Sequence, residues 1–392
     1  MHFFYRSLVA AAGREVTAGE TVRVNVDLML AHDGTAGKVL DAWESSGKPE
    51  LRDGGRVIIT LDHQFPAPGV ASRLLHRRLR EFADSHGVRF YQRGEGVLHQ
   101  VVAEQHKPRP GLIIAGADGH VATAGAFSAI AFSLKPEEMV AVMSKGTLEL
   151  EIPEVLGVRI DNRLPESASA RDLALLLTGL IGGGAAQGKV VMIWGEGAWA
   201  LSDAGRMTLC NMLGETGAVT GLIIPEAMPD GLPPKQFVID AGRVEPVVAC
   251  PPAVTNVRTA KECAGLAVQQ VVVGGCSSGR LEDMEELCRA LNGRPVHSNT
   301  HLVVTPASRT VLEAMDASGL SRTLRHAGAI INSPGCGPCP GLHQGIVAPG
   351  DRVLATIVRN SPGRMGAPEA EIYLCSPRTA GLAAAAGEIT TE

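Results

Sequence analysis

The stretch Gln270-Val271-Val272-Val273-Gly274-Gly275-Cys276-Ser277-Ser278-Gly279-Arg280 is an unbroken β-branched run that stops at two glycines and hands over a cysteine. A continuous apolar run of this kind reads as a strand covered on both faces, the hallmark of a parallel sheet. Four other runs behave alike: Arg56 to Leu61 leads into Asp62-His63, Gly111 to Ala115 into Asp118-Gly119-His120, Ala329 to Ile331 into Cys336, and Val353 to Val358 into Arg359-Asn360. Each is expected to be a strand with polar or ligating residues at its carboxyl end. In open α/β sheets ligands occupy the crevice beyond those ends. One such end is merely where a loop begins, but five ending in Cys, His, Asp or Arg point to a shared site.

Between the runs, 46 glycines and 24 prolines punctuate longer amphipathic stretches, so strands alternate with helices and the fold class is α/β. With 392 residues the chain exceeds one ordinary domain. Boundaries are expected near Leu150 to Glu154 and in the Pro-rich segment Cys250 to Val254, which divides the chain into 1–150, 151–254 and 255–392, the last unit carrying the cysteine motifs.

Composition narrows the classes of function. Hydrophobic residues make up 45%, charged residues 20%, and the net charge is -5, so the chain offers no basic arm for nucleic acid. The opening residues lack the apolar core of a signal peptide and no run approaches a membrane span, so a cytoplasmic location without membrane association is expected. Cys210, Cys250, Cys263, Cys288 and Cys375 stand isolated in apolar or helical context and read as reduced, packed thiols.

The remaining three cysteines differ. Pro334-Gly335-Cys336-Gly337-Pro338-Cys339-Pro340-Gly341 sets two thiols three apart in a rigid, open turn. Zinc and redox dithiols also use this spacing, but a second Cys or His pair for zinc is missing, and a thioredoxin-like motif belongs early in the chain rather than near its end. With Cys276, the three thiols suit a cubane iron–sulfur cluster with one iron lacking a protein ligand, a Lewis acid for a substrate hydroxyl.

Dehydrating a hydroxy-acid needs an acid at the departing hydroxyl, a base at the neighbouring C–H, and cations for the carboxylates. Asp62-His63 sets a carboxylate beside an imidazole, Arg359 and Arg364 flank a Ser-Pro-Gly turn, and guanidinium forks suit carboxylates. Ser202 to Gly217 reads as one helix capped by Ser202, with Asn211 and Glu215 four apart on one face.

These blocks resemble the aconitase superfamily, and within it the large subunits of two-subunit isopropylmalate isomerases. Gly275-Cys276-Ser277-Ser278-Gly279-Arg280 is similar to the family's Gly-Ser-Cys-Thr-Asn-Gly-Arg block, and Cys336-Gly337-Pro338-Cys339-Pro340-Gly341 to its paired-cysteine block. The resemblance runs from about Gly13 to Pro377. It implies a three-domain α/β/α architecture and a 4Fe-4S cluster on Cys276, Cys336 and Cys339. It also implies catalytic roles for Asp62, His63, His99, Asp118, His120 and Glu215, and substrate binding by Asn211, Arg359, Asn360 and Arg364. His32-Asp33-Gly34-Thr35 resembles an early family block to which only structural support is assigned. Three departures stand out: Gly119 replaces a serine, Val358 replaces the first asparagine before Arg359, and Ser361-Pro362 replace a Phe-X pair. The segment Val254 to Val257 likewise lacks the His-Ser-Pro of relatives.

By this resemblance the chain dehydrates and rehydrates a small hydroxy di- or tricarboxylic acid, with 3-isopropylmalate dehydration in leucine biosynthesis first and homocitrate, citrate or methylated malates next. A mobile C-terminal swivel domain is expected on a separate small subunit, together with the serine that serves as base. A rival of another class, a cluster-bearing or RNA-binding protein without activity, conflicts with the intact acid–base residues and the acidic net charge.

Overall fold

The structure is a computed structural model describing residues 2–225 and 228–392. Its strands form a 5-stranded, a 4-stranded and a 7-stranded sheet plus a 2-stranded ribbon. The ribbon pairs Thr21–Asn25 antiparallel with Thr147–Glu151.

The 5-stranded sheet runs Arg89–Tyr91, Val57–Thr60, Leu28–His32, Ile113–Gly116, Ile130–Ser133, every pair parallel. Its order reverses between Leu28–His32 and Ile113–Gly116, which opens a crevice at their carboxyl ends. The 4-stranded sheet is also wholly parallel, in the order Thr220–Ile223, Val190–Trp194, Val155–Asp161, Lys235–Asp240.

In the 7-stranded sheet a parallel block orders Glu371–Leu374, Arg352–Ala355, Gln270–Val273, His301–Val304 and Ile330–Ile331. Two antiparallel strands, Val247–Ala249 and Val257–Thr259, extend its edge. Val247–Ala249 precedes the Pro-rich segment yet pairs with Glu371–Leu374, so this sheet takes in residues ahead of Val254. Its order reverses between Gln270–Val273 and Arg352–Ala355, the strands that deliver Cys276 and Arg359.

All five expected runs are therefore parallel strands; Gln270–Val273 keeps its bounds and the others shift at their ends, as where Arg56 closes a 3-10 turn ahead of Val57–Thr60 and the run at Ala329 shortens to Ile330–Ile331. The central strands are buried along their whole length, as at Val57–Thr60, Ile113–Gly116 and Gln270–Val273. One apolar cluster reaches from Val97 to Leu374 and includes Cys276, Cys336 and Cys339, so these thiols belong to the core rather than the surface. Among the described residues no helix is long and apolar enough to cross a membrane.

The helix Leu281–Leu291, which follows the Cys276 turn, carries an acidic strain of its own. Burial, with Asp283 and Asp172 nearby, pushes Glu286 up to about 8 against the pull of Arg289 and Arg378. Burial also lifts Asp283 to about 6, with Arg280 opposing. An unfolded glutamate titrates near ~4.3. The folded chain thus holds an extra proton on Glu286 between that value and about 8, and the associated stability is lost as pH rises through about 8. Glu286→Gln should melt above the wild type at pH ~9, with the gap closing toward pH ~5. A gap in melting temperature that is flat across this range rules the assignment out.

Candidate active site

The strand Leu28–His32 runs directly into the helix Asp33–Ser45. His32 caps that helix: its Nδ1 accepts the Gly34 N–H at 3.1 Å. Asp33, 1% exposed, accepts the backbone N–H groups of Asp62, His63 and Gln64 at 3.1, 2.9 and 2.8 Å. Burial works against its charge, but His76, His63 and these amides hold the carboxyl well below the usual range. The loop after the strand Val57–Thr60 therefore hangs on one buried carboxylate.

That loop presents the Asp62-His63 pair, with His63 Nδ1 2.6 Å from Asp62 Oδ1. The other oxygen, Asp62 Oδ2, accepts the Leu98 N–H at 2.7 Å, which docks the short helix Leu98–Val101 bearing His99. Burial lowers the basicity of His63, and Asp62, Asp33 and Asp118 outweigh it, so the ring titrates above the usual histidine value.

Across the crevice, Asp118 follows the strand Ile113–Gly116 and gathers three imidazoles. His99 Nε2 and His32 Nε2 lie 3.0 and 3.3 Å from Oδ2, and His120 Nδ1 lies 3.3 Å from Oδ1, which also accepts the His120 N–H at 2.8 Å. Burial raises Asp118, but hydrogen bonds from His120, His32 and His99 hold it well below the usual carboxylate range. The chain continues through His120 Nε2 to Glu215 Oε1 at 2.7 Å and on to Arg359 Nε, 2.9 Å from both Glu215 oxygens. Burial pulls His120 down, yet Cys276, Asp118 and Glu215 lift it well above the ordinary value, which favours the protonated ring.

Glu215 is not on the expected helix. The helix is Asp203–Leu213 with Ser202 as its cap, and it stops at Gly214. A Cβ at Gly214 would lie 2.6 Å from the Gly119 carbonyl oxygen. The chain must be bare there to approach the Asp118 loop, and the turn that follows swings Glu215 onto His120. Asn211 stays on the helix, fully buried, donating to Thr123 Oγ1 at 2.9 Å with its oxygen 3.9 Å from Cys276 Sγ.

Cys276, Cys336 and Cys339 are 9, 4 and 3% exposed and line one narrow cavity with Asp62, His63, His99, Asp118, His120 and Arg364. Val97 and Val358 supply apolar wall. The Cys336 loop docks on the Asp62 loop, the Cys336 N–H donating to the Asp62 carbonyl at 2.8 Å. Gly335, at φ +153, is required there, since a Cβ would meet that carbonyl at 2.8 Å. The Cys276 turn is clamped by buried Arg280, which donates to the carbonyls of Cys276 and Ser277 at 3.0 and 3.3 Å.

The donor set fits an iron–sulfur cluster. Burial pushes the Cys276 and Cys336 thiols up, the latter well above the usual value, so only a strongly cationic centre among them would keep them as thiolates. Arg364 Nη2 sits 3.1 Å from Cys339 Sγ, while its buried Nε has no protein partner among the described residues and remains available to a ligand.

Of the residues singled out from sequence, Asp62, His63, His99, Asp118, His120, Arg364 and the three cysteines line this cavity; Glu215 and Asn211 touch its lining residues, and Arg359 is joined to it through Glu215. Asn360 does not line the cavity: its amide donates to the Ala249 carbonyl at 3.3 Å, and its oxygen is buried without a partner among the described residues. A side chain starting at Gly119 would lie 3.5 Å from Arg359 Nη2, so the glycine leaves that guanidinium flank open. Sequence reasoning passed over His32 and Asp33. The same signal applied there, an apolar run ending in polar residues, but this sixth strand end was read as support alone.

Comparison with known proteins agrees with this geometry. The model of the aconitase family (aconitate hydratase) matches residues 5–229 and 237–387. A 3-isopropylmalate dehydratase large subunit of Methanopyrus kandleri is 38% identical, covering 98% of this chain and 96% of that protein. A homoaconitase large subunit of Thermus thermophilus is 39% identical, covering 97 and 94%. In three dimensions the chain is similar to the holo-form of Thermococcus kodakaraensis aconitase X, with a TM-score of 0.54 and 12% identity over 99% of this chain and 91% of the other, a likeness of fold. Matched along nearly its whole length, the chain belongs to the aconitase family and is an enzyme of the hydro-lyase class.

Proposed function

We propose that this chain is the large subunit of a two-subunit hydro-lyase that interconverts 2- and 3-isopropylmalate. The observation that carries the reading is the convergence of three buried thiols, three histidines and the Arg364 guanidinium on one cavity, with Arg359 joined to it through Glu215, in a chain similar to 3-isopropylmalate dehydratase large subunits over almost its full length. A second reading, homocitrate as substrate, is favoured by the equally similar homoaconitase large subunits.

Cys276, Cys336 and Cys339 would hold a 4Fe-4S cluster, which when bound supplies Lewis acidity toward the substrate hydroxyl. The rest of the work falls to side chains. Arg364 and Arg359 hold the carboxylates; of the two, Arg364 has an unpaired donor, whereas Arg359 is braced by Glu215. His120 carries a proton held between Glu215 and Asp118 and delivers it to the departing hydroxyl, which leaves as water. His63, its ring aligned by Asp62, lies on the same cavity wall and donates a hydrogen bond to the leaving oxygen. The base for the C–H is assigned to a serine of the small subunit, so this chain alone is expected to be inactive.

The test is anaerobic purification with the small subunit encoded alongside, followed by absorbance of the unsaturated acid formed from isopropylmalate, homocitrate, citrate and methylmalates. Isopropylmalate should give the highest kcat/KM. Protein prepared without oxygen that is colourless and iron-free, or a Cys336→Ser variant with unchanged turnover, sinks the reading. In the same assay Arg364→Lys should lose kcat/KM by roughly 10- to 100-fold, the worth of a charged, forked hydrogen bond; a loss under about twofold would remove Arg364 from the carboxylate site.

A further inference from the structure

His32 sits where the two halves of the site meet, at the reversal of strand order in the 5-stranded sheet. Four of its contacts are fixed. Its Nδ1 accepts the Gly34 N–H at 3.1 Å. Its Nε2 lies 3.3 Å from Asp118 Oδ2, the oxygen that His99 also approaches. Its ring stacks on His63 at 3.9 Å between centroids and 4° between planes. Nδ1 is also 3.9 Å from Asp62 Oδ1, beyond hydrogen-bond range.

A backbone N–H can only donate, so Nδ1 must present a lone pair and the ring proton must sit on Nε2. The tautomer is thus dictated by a helix cap. With the proton on Nε2, His32 sets that N–H group 3.3 Å from Asp118 Oδ2, and its face lies flat against the ring of His63. A ring protonated on both nitrogens would lose the cap and set a second cation against His63.

We infer that His32 is a positioning residue of the dehydration: the cap at Gly34 locks its tautomer, so that one ring fixes the Asp118 carboxylate behind His120 and His99 and backs the His63 ring. This rests on the hydro-lyase reading above and adds to it a residue that acts through others. His32, Asp33, Asp62 and His63 bring ligand atoms within 4.8 Å of one another. Their capacity is already spent on one another and on backbone amides, so the group braces the site and is not a second ion site.

Two substitutions separate the bracing from the cap. His32→Asn keeps an acceptor for the Gly34 N–H, as asparagine is a good helix cap, but is too short to reach Asp118. His32→Gln offers an amide N–H at about the reach of Nε2. In the holoenzyme with its small subunit, His32→Asn should keep iron content and melting temperature while kcat falls by roughly 10- to 100-fold and KM moves less than about threefold, the range seen when partners behind catalytic groups are removed. His32→Gln should recover most of that kcat. Wild-type kcat in His32→Asn, or equal losses in both variants, overturns the inference while leaving the hydro-lyase reading intact.

Nitrogen-15 spectra of histidine-labelled holoenzyme give a readout that needs no turnover. A His32 ring with a bare Nδ1 and a proton on Nε2 is expected. A proton on Nδ1 overturns the inference whether or not any hydroxy-acid is converted, whereas failure of the wild type on every substrate, with the expected tautomer present, counts against the hydro-lyase reading alone.

Discussion

A carboxylate taken out of water must be repaid by donors, and that constraint organises this site. Asp33 and Asp118 are both deeply enclosed, and each is satisfied from segments distant in the chain: Asp33 by the amides of Asp62, His63 and Gln64, Asp118 by His32, His99 and His120. An unpaired buried charge would cost several kcal/mol, about as much as the whole chain's margin allows. The loops therefore have little freedom to part. These buried acids staple the strand ends together, so electrostatics and architecture are one arrangement viewed twice.

The fold places these loops side by side because parallel sheets send their strand ends in one direction. The 5-stranded sheet contributes His32, Asp62-His63 and Asp118-His120 from neighbouring strands, and the 7-stranded sheet contributes Cys276 and Arg359 from its own pair at the reversal of order. Two reversal points facing one cavity give hard carboxylate and imidazole groups on one side and soft sulfur on the other. Behind the sulfur side lies the helix Asp203–Leu213, tied to the Cys276 turn by Thr208, whose hydroxyl donates to the Ser277 carbonyl at 2.8 Å.

Much of this was legible in the residues because it follows from local rules. Val-rich runs stopped by glycine announce parallel strands, and a Cys-X-X-Cys in a Gly/Pro turn announces two thiols turned into one cavity. What stayed hidden depends on contacts between distant segments. Glu215 leaves the helix at Gly214, where a Cβ would lie 2.6 Å from the Gly119 carbonyl, a close approach that spacing along the chain cannot reveal. Asn360 reads from sequence as a substrate ligand beside Arg359, and that its amide also meets the Ala249 carbonyl of the edge strand Val247–Ala249 is a contact spacing cannot show. His32 and Asp33 looked like a helix start, which they are; their second task appears only when the loops they hold are in place.

The same separation between backbone and side chain bears on how the sulfur site is built. The Cys276 turn is held through its carbonyl oxygens by Arg280, and the Cys336 turn through its N–H by Asp62. The two turns are thus fixed by hydrogen bonds that involve no sulfur atom, while the thiols of Cys276 and Cys336, raised by burial, gain most from a cationic guest. Arg280 also takes Gln100 at 3.0 Å, next to His99, so the guanidinium that shapes the sulfur side reaches the histidine side as well. A preset frame of this kind places the ordering cost in folding rather than in cofactor capture, so that a guest of the right charge has only to displace protons.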